Sequence, residues 1–335
     1  MANIVFTESS GVADSIYGKC QAPIASFIKK RGEAFEQSSL IKSMFSVRKS
    51  NHFGEMYGSM TGMEGFKPVG ENGSHPIDGE RESYKKLITN VTWKNSFSIS
   101  RELIDDSQII DLKKKPESFT ASYYRTRERF GAALFGAAIS LKSKMDFYGT
   151  EFDVTTADGE NLFSKNHPSI LGKKKQSNFF ADAFSKDALG ALESKMHDFR
   201  DDQGAVLDVA PDTIVIANDY KLINAVFEVI GSDKNPDTSN NGFNYHYGRW
   251  NIICNPYLNE FVTGSPWMLL DSRYSESYDG AVIQDRTALE VKSYIDNDTD
   301  ANVWNGFARW SGGFVDWRFA ALGGVTGGET LISQS

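Results

Sequence analysis

The sequence predicts an α+β fold, and three stretches carry that prediction. "LITNVTWKNSFSIS", residues 87–100, alternates apolar and polar residues over the length of an unusually long strand. "SFTASYYRTRERFGAALFGAAISL", residues 118–141, repeats apolar residues at steps of three and four, the signature of a helix with one buried stripe. Between about 179 and 285 the texture changes to alternating helix and strand: "KDALGALESKMHDF" is amphipathic, "DTIVIAN" is a buried strand after Pro211, and "DYKLINAVFEVIG" is a second helix between Asp219 and Gly231.

Bulk composition supports one large or two ordinary globular domains. The 335 residues are 40% hydrophobic and 24% charged, enough to build a sizeable core. With 36 basic against 44 acidic residues the formal charge is −8, so no dedicated nucleic-acid grip is advertised. Cys20 and Cys254 form no CxxC pair, which argues against a disulfide framework or a thiolate zinc site and fits a reducing compartment. No window approaches the roughly 18 apolar residues of a membrane span, and the start has no signal-peptide pattern, so no membrane partner is expected.

In chain order, residues 1 to about 50 read as an arm with one or two short helices that pack on something else. "GEMYGSMTGMEGFKPVGENGSHPIDGERE", residues 54–82, is too rich in glycine for a compact unit and reads as an extended excursion returning through the strand. On that strand Leu87, Val91, Trp93, Phe97 and Ile99 share one face. A long hairpin of this kind leaves a polar face and two edges that require water or a neighbour. In the helix, Ser118 is the expected N-cap and Phe119, Tyr123, Phe130, Leu134, Ala137 and Leu141 form the buried stripe, while Gly131 and Gly136 allow another backbone to approach. "KMDFYGTEFDVTTADGENLFSKNHPS" reads as a strand, an Asp158-Gly159 turn and a short return leg ended by Pro168. Residues 234–248 form a polar, turn-rich loop, and the strands "RWNIICNPY" and "WMLLDS" follow. The C-terminal part forms two or three long antiparallel strands with "DNDTDAN" at a tip.

Candidate chemistry is sparse. His167 precedes a proline and is biased toward an extended backbone, and His52, His75, His197 and His246 have no metal-ligand spacing. "GAALFG" lacks the Lys-Ser/Thr of a phosphate loop. Asp296, Asp298 and Asp300 begin like a calcium loop, but Ala301 and Phe307 stand where glycine and glutamate are needed. The expectation is therefore no enzyme, no catalytic residue, no cofactor and no metal. An α/β hydrolytic enzyme using Asp105 or Asp106 with His167 or His246 is the alternative of a different class.

Four stretches in order, "DGERESYKKL" leading into "FSISRELIDD", then "LFSKNHPS" and "PDTIVIANDYKLINAVFEV", resemble the major capsid proteins of tailed bacteriophages with the Hong Kong 97-type fold, and most of all the Mu-type major head subunits. The resemblance implies an N-terminal arm (1–52), an extended β-hairpin loop (53–100), a peripheral domain (101–178 and 286–335) with spine helix 118–141, and an axial domain (179–285). It implies a major capsid protein that assembles with itself as hexamers and pentamers into an icosahedral virion shell around packaged double-stranded DNA, in the host bacterial cytoplasm. A separate scaffolding protein is expected because the chain opens with only a short arm, and a portal and decoration proteins are further partners. An encapsulin-like nanocompartment shares the fold and is the alternative within it.

On this resemblance the assembly-interface candidates are Phe66, Lys67, Glu80, Arg81, Trp93, Asn241 and Tyr245. Glu80 and Arg81 are read either as an inter-subunit salt bridge or as an exposed ion pair worth about 0–1 kcal/mol. Leu162 and Phe163 anchor the peripheral sheet, and His167-Pro168 directs the chain toward the axial domain. For the Lys-Asn cross-link of some relatives, Lys67, Lys85 and Lys86 on one side and Asn297, Asn302 and Asn305 on the other are the candidates, and cross-linking is not expected. Lysines 113–115 and 173–175 face either packaged DNA or solvent.

Overall fold

The computed structural model describes residues 5–7, 18–58, 66, 68–71, 74–75, 84–105, 109–169, 175–202, 204–233 and 242–325; the side chains up to residue 25 and those of 104–113 are outside it. The chain begins with β1 (Val5–Thr7), α1 (Gly18–Gln37), a single turn α2 (Ile41–Met44), β2 (Ser46–Lys49) and β3 (Gly54–Gly58). Then come β4 (Lys85–Thr89), β5 (Val91–Ile99), α3 (Arg101–Asp105) and the long α4 (Ile109–Ile139). The arm helices lie against α4, where Ile28, Ile41, Met44 and Phe45 are buried.

At 31 residues α4 is about 46 Å long, and it starts earlier than Ser118. Pro116 does not stop it. A proline inside a helix removes one N–H and crowds the preceding turn, and here the helix runs through it, with Thr120 Oγ1 donating to the Pro116 carbonyl at 2.8 Å. The C-terminus is also earlier than the pattern suggests. Leu141, expected on the buried stripe, has a left-handed φ of 56° and is 39% exposed. Lys142 N–H bonds the Ala137 carbonyl at 3.0 Å and Leu141 N–H that of Ala138 at 3.0 Å, a Schellman cap with leucine in the usual place of glycine. Gly136 has the expected close neighbour: a Cβ there would lie 2.5 Å from Cβ of Phe261.

After α4, β6 (Lys144–Phe147) and β7 (Thr150–Asp153) form a hairpin. Its turn is Tyr148-Gly149, with φ of 52° and 75°, rather than Asp158-Gly159. Asp158-Gly159 makes a second turn, bracketed by the Thr155–Asn161 bridge.

The α/β part contains α5 (Lys186–His197), β8 (Thr213–Ala217), α6 (Tyr220–Ile230), β9 (Asn251–Asn255), a 3-10 turn at Pro256–Glu260, β10 (Trp267–Leu270) and α7 (Ser272–Tyr278). Ser185 and Asp219 cap α5 and α6 by accepting from Ala188 and Lys221 N–H. Every residue of β8 is buried, as the uninterrupted apolar run predicts. The chain ends in β11 (Ala281–Ile295), β12 (Asn302–Phe314) and β13 (Ala320–Gly323).

Two sheets organise these strands. In the larger, β11 and β12 form the long antiparallel hairpin, β5 flanks β12, and β1 and β2 both run parallel to β11. In the other, the order is β13-β10-β8-β9, so the last strand returns to the sheet of the α/β part. A single hydrophobic cluster runs through both, from Phe130, Phe135 and Trp310 to Phe319, Trp267 and Leu192.

The predicted strand 87–99 is two strands with opposite facing. In β5 the odd residues Val91, Trp93, Phe97 and Ile99 point inward as expected, but in β4 Lys86 and Ile88 are buried and Leu87 is 55% exposed. A one-residue slip exchanges the faces of a strand, and it occurs at Asn90. The Asn90 amide donates to Ser50 Oγ at 2.8 Å and to the His52 carbonyl at 3.0 Å, and its oxygen accepts from Gln284 at 3.0 Å.

Candidate assembly surfaces

The β3–β4 hairpin has one face on the body and one free. On the inner face Ile88 packs with Val282 and Val315, and Tyr57 Oη donates to Gln284 Oε1 at 3.2 Å. Burial pushes the Tyr57 hydroxyl up to about 12. Lys86 Nζ pairs with Asp153 and also donates to the Thr155 carbonyl at 2.9 Å. Burial lowers the pKa of this ammonium, against the opposing pull of Asp153.

The opposite face is apolar and uncovered in the single subunit. Met56 and Leu87 are directly cross-strand partners, 64% and 55% exposed. Phe53, at the base of the hairpin, is 72% exposed, and Phe66 and Val69 in the excursion are also exposed. Directly opposed side chains on one face of a sheet act as a unit, so Met56 and Leu87 form a ready apolar ridge. The sequence pattern hides it, because the alternation of 87–99 puts Leu87 on the buried face.

A second surface lies beside α6. Phe243, Tyr245 and Tyr247 are 79%, 58% and 49% exposed, whereas Asn244 and His246 between them are buried. Asn244 holds this alternation in place, its amide donating to the carbonyls of Val229 in the last turn of α6 at 2.6 Å and of Ser232 just past the helix end at 2.9 Å. The Arg249 guanidinium lies 4.0 Å from the Tyr245 ring centre and bonds Glu193 at 2.8 Å, so Tyr245 is held flat by a cation that is itself anchored.

Of the expected interface residues, Glu80, Arg81, Lys67 and Asn241 lie outside the described residues. Phe66 is fully exposed and Tyr245 belongs to the aromatic surface. Trp93 is half-buried: its indole stacks on Trp310 at 4.5 Å, its Nε1 donates to the Trp310 carbonyl at 3.1 Å, and its free edge lines a cleft of about 420 Å³ with Phe119, Tyr123 and Tyr148. Phe243 and Tyr247 were not singled out in the sequence, although "FNYHY" alternates aromatic residues around Tyr245.

The candidates for chemistry are dispersed. His167 is 1% exposed, bonded through Nδ1 to Asp158 at 2.8 Å and through Nε2 to Asn178 at 3.2 Å. Leu162 and Phe163 beside it are fully buried. His246 lies elsewhere, 3.9 Å from Glu193 and packed against Trp250, and burial lowers its pKa. The side chains of Asp105 and Asp106 lie outside the described residues. Among the cross-link candidates, Lys86 is committed to Asp153 and Asn302 is 1% exposed. At the tip of the β11–β12 hairpin, Asp296 accepts from Thr299 at 2.7 Å within the turn, and Asp300 pairs with Arg101 at the start of α3 at 3.3 Å. Among the described residues no cluster of His, Cys, Asp and Glu has the arrangement of a metal site, and no helix is long and apolar enough to cross a membrane.

The family model described as phage capsid protein matches residues 83–322, from the base of the hairpin to the last strand. The chain is thus a structural, shell-forming subunit and not an enzyme. It belongs to the phage capsid protein family, whose place is the shell of the virion. No curated protein matches the chain in sequence. Solved structures similar to it include the procapsid of bacteriophage JBD30, at 15% identity over 90% of this chain and 75% of that one, with a TM-score of 0.44. The JBD30 capsid decorated with minor capsid protein trimers is similar at 14% identity over 66% and 91%, with a TM-score of 0.45. Mycobacterium phage Patience is similar at 10% identity over 98% of both chains, with a TM-score of 0.49.

Proposed function

We propose that this subunit forms hexamers and pentamers that close into an icosahedral shell around double-stranded phage DNA, and that the outward face of the β3–β4 hairpin is one of its contacts with a neighbouring copy. The observation that carries the contact is the Met56–Leu87 ridge, whose opposite face is already satisfied within the subunit. Removing apolar area from water contributes about 25 cal/mol per Å², and here that gain is open only to assembly.

The division into an arm (1–52), an extended loop (53–100), a peripheral domain (101–178 and 286–335) and an axial domain (179–285) is the Hong Kong 97-type reading of these elements. Its support is their order: arm helices on α4, a hairpin with one face on the body and one free, and an α/β part inserted between α4 and the β11–β12 hairpin. The closer affinity to Mu-type head subunits rests on the four sequence stretches. In this reading the Phe243, Tyr245 and Tyr247 surface meets its copies around the capsomer axis, and Glu80, Arg81, Lys67 and Asn241 take part in contacts between subunits. Lys114, Lys115 and Lys175 are exposed and supply non-specific contact with DNA. Assembly proceeds in the host bacterial cytoplasm with a separate scaffolding protein and a portal. Decoration by a further protein is proposed by analogy with the JBD30 capsid and its minor capsid protein trimers.

The test is Met56→Asp with Leu87→Asp. Both positions face solvent in the isolated subunit, so its unfolding free energy is expected to change by no more than about 0.5 kcal/mol per site. Shells in electron micrographs are expected to disappear. Normal shells from the double variant would remove the hairpin face from the assembly contacts.

A further inference from the structure

Strand β5 has one edge on β12 and one edge free, and the free edge is not uniform. In an antiparallel strand the N–H and C=O of one residue point to the same side, and alternate residues point to opposite sides. Two bonds fix which residues face outward. The Ser96 N–H is taken by the Asn95 side chain at 2.9 Å, and the Ser98 carbonyl accepts Lys115 Nζ at 2.7 Å. The even residues therefore line the free edge, and the odd residues bond β12. At Ser96 and Ser98 the chain's own side chains occupy one backbone group each. At Thr92 and Lys94 nothing among the described residues does.

The open stretch coincides with a groove. Consecutive residues from Val91 to Asn95 line the cleft of about 420 Å³, as a strand does when its edge forms the wall, and the facing wall is α4 at Phe119 and Tyr123 with Tyr148 beside it. A strand edge next to a helix lets an extended segment join the sheet through backbone bonds while its alternate side chains enter the groove. A segment of this kind is exposed on the same chain. Phe66 is fully exposed, so it touches no part of its own subunit's cleft, and Val69 is 53% exposed. Pro68 favours an extended backbone before it, and Glu71 just beyond is an exposed carboxylate matching the exposed Lys94 at the groove.

We propose that residues 66–71 of a second copy add to the free edge of β5 as a short antiparallel strand, with Phe66 and Pro68 turned toward α4 at Phe119. This strand addition rests on the reading of the hairpin as a contact between copies. A proline has no N–H and must point its nitrogen away from the ladder. The Pro68 side chain then falls on the face of the odd residues of β5, and Phe66 falls on the same face. Lys67, Val69 and Glu71 fall on the other face with Thr92 and Lys94. Like charges directly opposite each other repel, which disfavours Lys67 against Lys94. With Val69 opposite Lys94 and Glu71 opposite Thr92, the Glu71 carboxylate lies diagonal to the Lys94 ammonium, and the N–H and C=O of both open residues gain partners. Phe66 then meets Phe97, whose ring centre is 5.1 Å from that of Phe119, and Gly70 faces Trp93 with no side chain to crowd it.

The experiment is amide exchange read at single residues by mass spectrometry, on the unaltered protein as free subunits and as shells assembled from this chain alone. On assembly the Thr92 and Lys94 amides are expected to slow by about fivefold or more, the net worth of one backbone hydrogen bond, relative to Val91 and Trp93, which bond β12 in both states. Shells assembled from a mixture of ¹⁴N- and ¹⁵N-labelled subunits and treated with a carbodiimide identify the occupant. Glu71 is expected to be joined to Lys94, with the two isotopes on the two linked peptides. Exchange at Thr92 and Lys94 that assembly leaves unchanged would overturn the added strand. A Glu71–Lys94 link that is absent, or confined to peptides of one isotope, would overturn the second copy as occupant. Neither outcome bears on the Met56–Leu87 ridge, whose own test is the loss of shells in Met56→Asp with Leu87→Asp.

Discussion

Replacing Trp310 with alanine is expected to destabilise the subunit by about 3–5 kcal/mol, the cost of emptying the space of a large aromatic side chain in a close-packed core. Trp310 is 1% exposed in the centre of β12. It stacks on Trp93 at 4.5 Å, meets the ring of Phe130 edge-on at 5.1 Å, and carries the Arg127 guanidinium 5.4 Å from its own ring. Its loss would release β5 from β12 on one side and α4 from the sheet on the other, so no single neighbour can collapse into the gap. The indole Nε1 of Trp310 has no hydrogen-bond partner among the described residues, a cost that the folded state already bears. Trp310→Phe removes that unpaired donor and keeps most of the ring, so it is expected to cost clearly less than the alanine variant. Urea unfolding checks both: the midpoint should fall in the order wild type, phenylalanine, alanine, with an unchanged slope. A loss below about 1 kcal/mol in Trp310→Ala would mean that the aromatic cluster repacks and is not the keystone of the sheet.

The same cluster shows why part of the fold was legible in the sequence. Trp93, Phe97 and Ile99 alternate with polar residues because β5 has one wet face, and that is a local pattern. The stripe from Phe119 to Ala137 is legible in α4 for the same reason. The reversal at Asn90 is not local. It depends on Ser50, His52 and Gln284, residues far away in the chain whose hydrogen bonds decide which face of β4 turns inward. The turn at Tyr148-Gly149 was hidden by its chemistry, since an aromatic residue with positive φ runs against turn preferences, while Asp158-Gly159 nearby looked better suited. Start and stop rules misplaced α4 because Pro116 lies within it and leucine, not glycine, caps it. For the surfaces, Phe66 and Tyr245 were within reach because an aromatic residue in a polar, turn-rich stretch has no local core to join. Met56 and Leu87 were not, since each looks like an ordinary core residue until the strand's facing is known.

Replacing Arg318 with methionine is expected to cost about 3–5 kcal/mol as well, but through charge rather than volume. Its side chain is 4% exposed and bonds Asp316 at 3.0 Å, Asp202 at 3.4 Å and the Arg200 carbonyl at 3.1 Å. Burial works against the guanidinium, yet Asp316, Tyr274 and Asp202 together raise its pKa above the ordinary arginine value. Methionine matches much of its length and is compatible with the apolar wall of Trp317, so the expected loss comes from two carboxylates left in a low-dielectric interior without their cation. That origin has a consequence that a simple packing defect lacks. Adding Asp316→Asn and Asp202→Asn to Arg318→Met removes the stranded charges and is expected to recover roughly half of the lost stability, measured by the same urea titration. No recovery would mean that the arginine acts through its bond to the Arg200 carbonyl and its packing, not through its charge. Arg318 stands between β12 and β13 and ties both to the loop after α5, so the network joins the two sheets at the place where the chain passes from one to the other. A subunit that must keep one shape in every copy of a shell benefits from fixing that joint with directional bonds, because an apolar contact there could slide where a buried arginine with two carboxylates cannot.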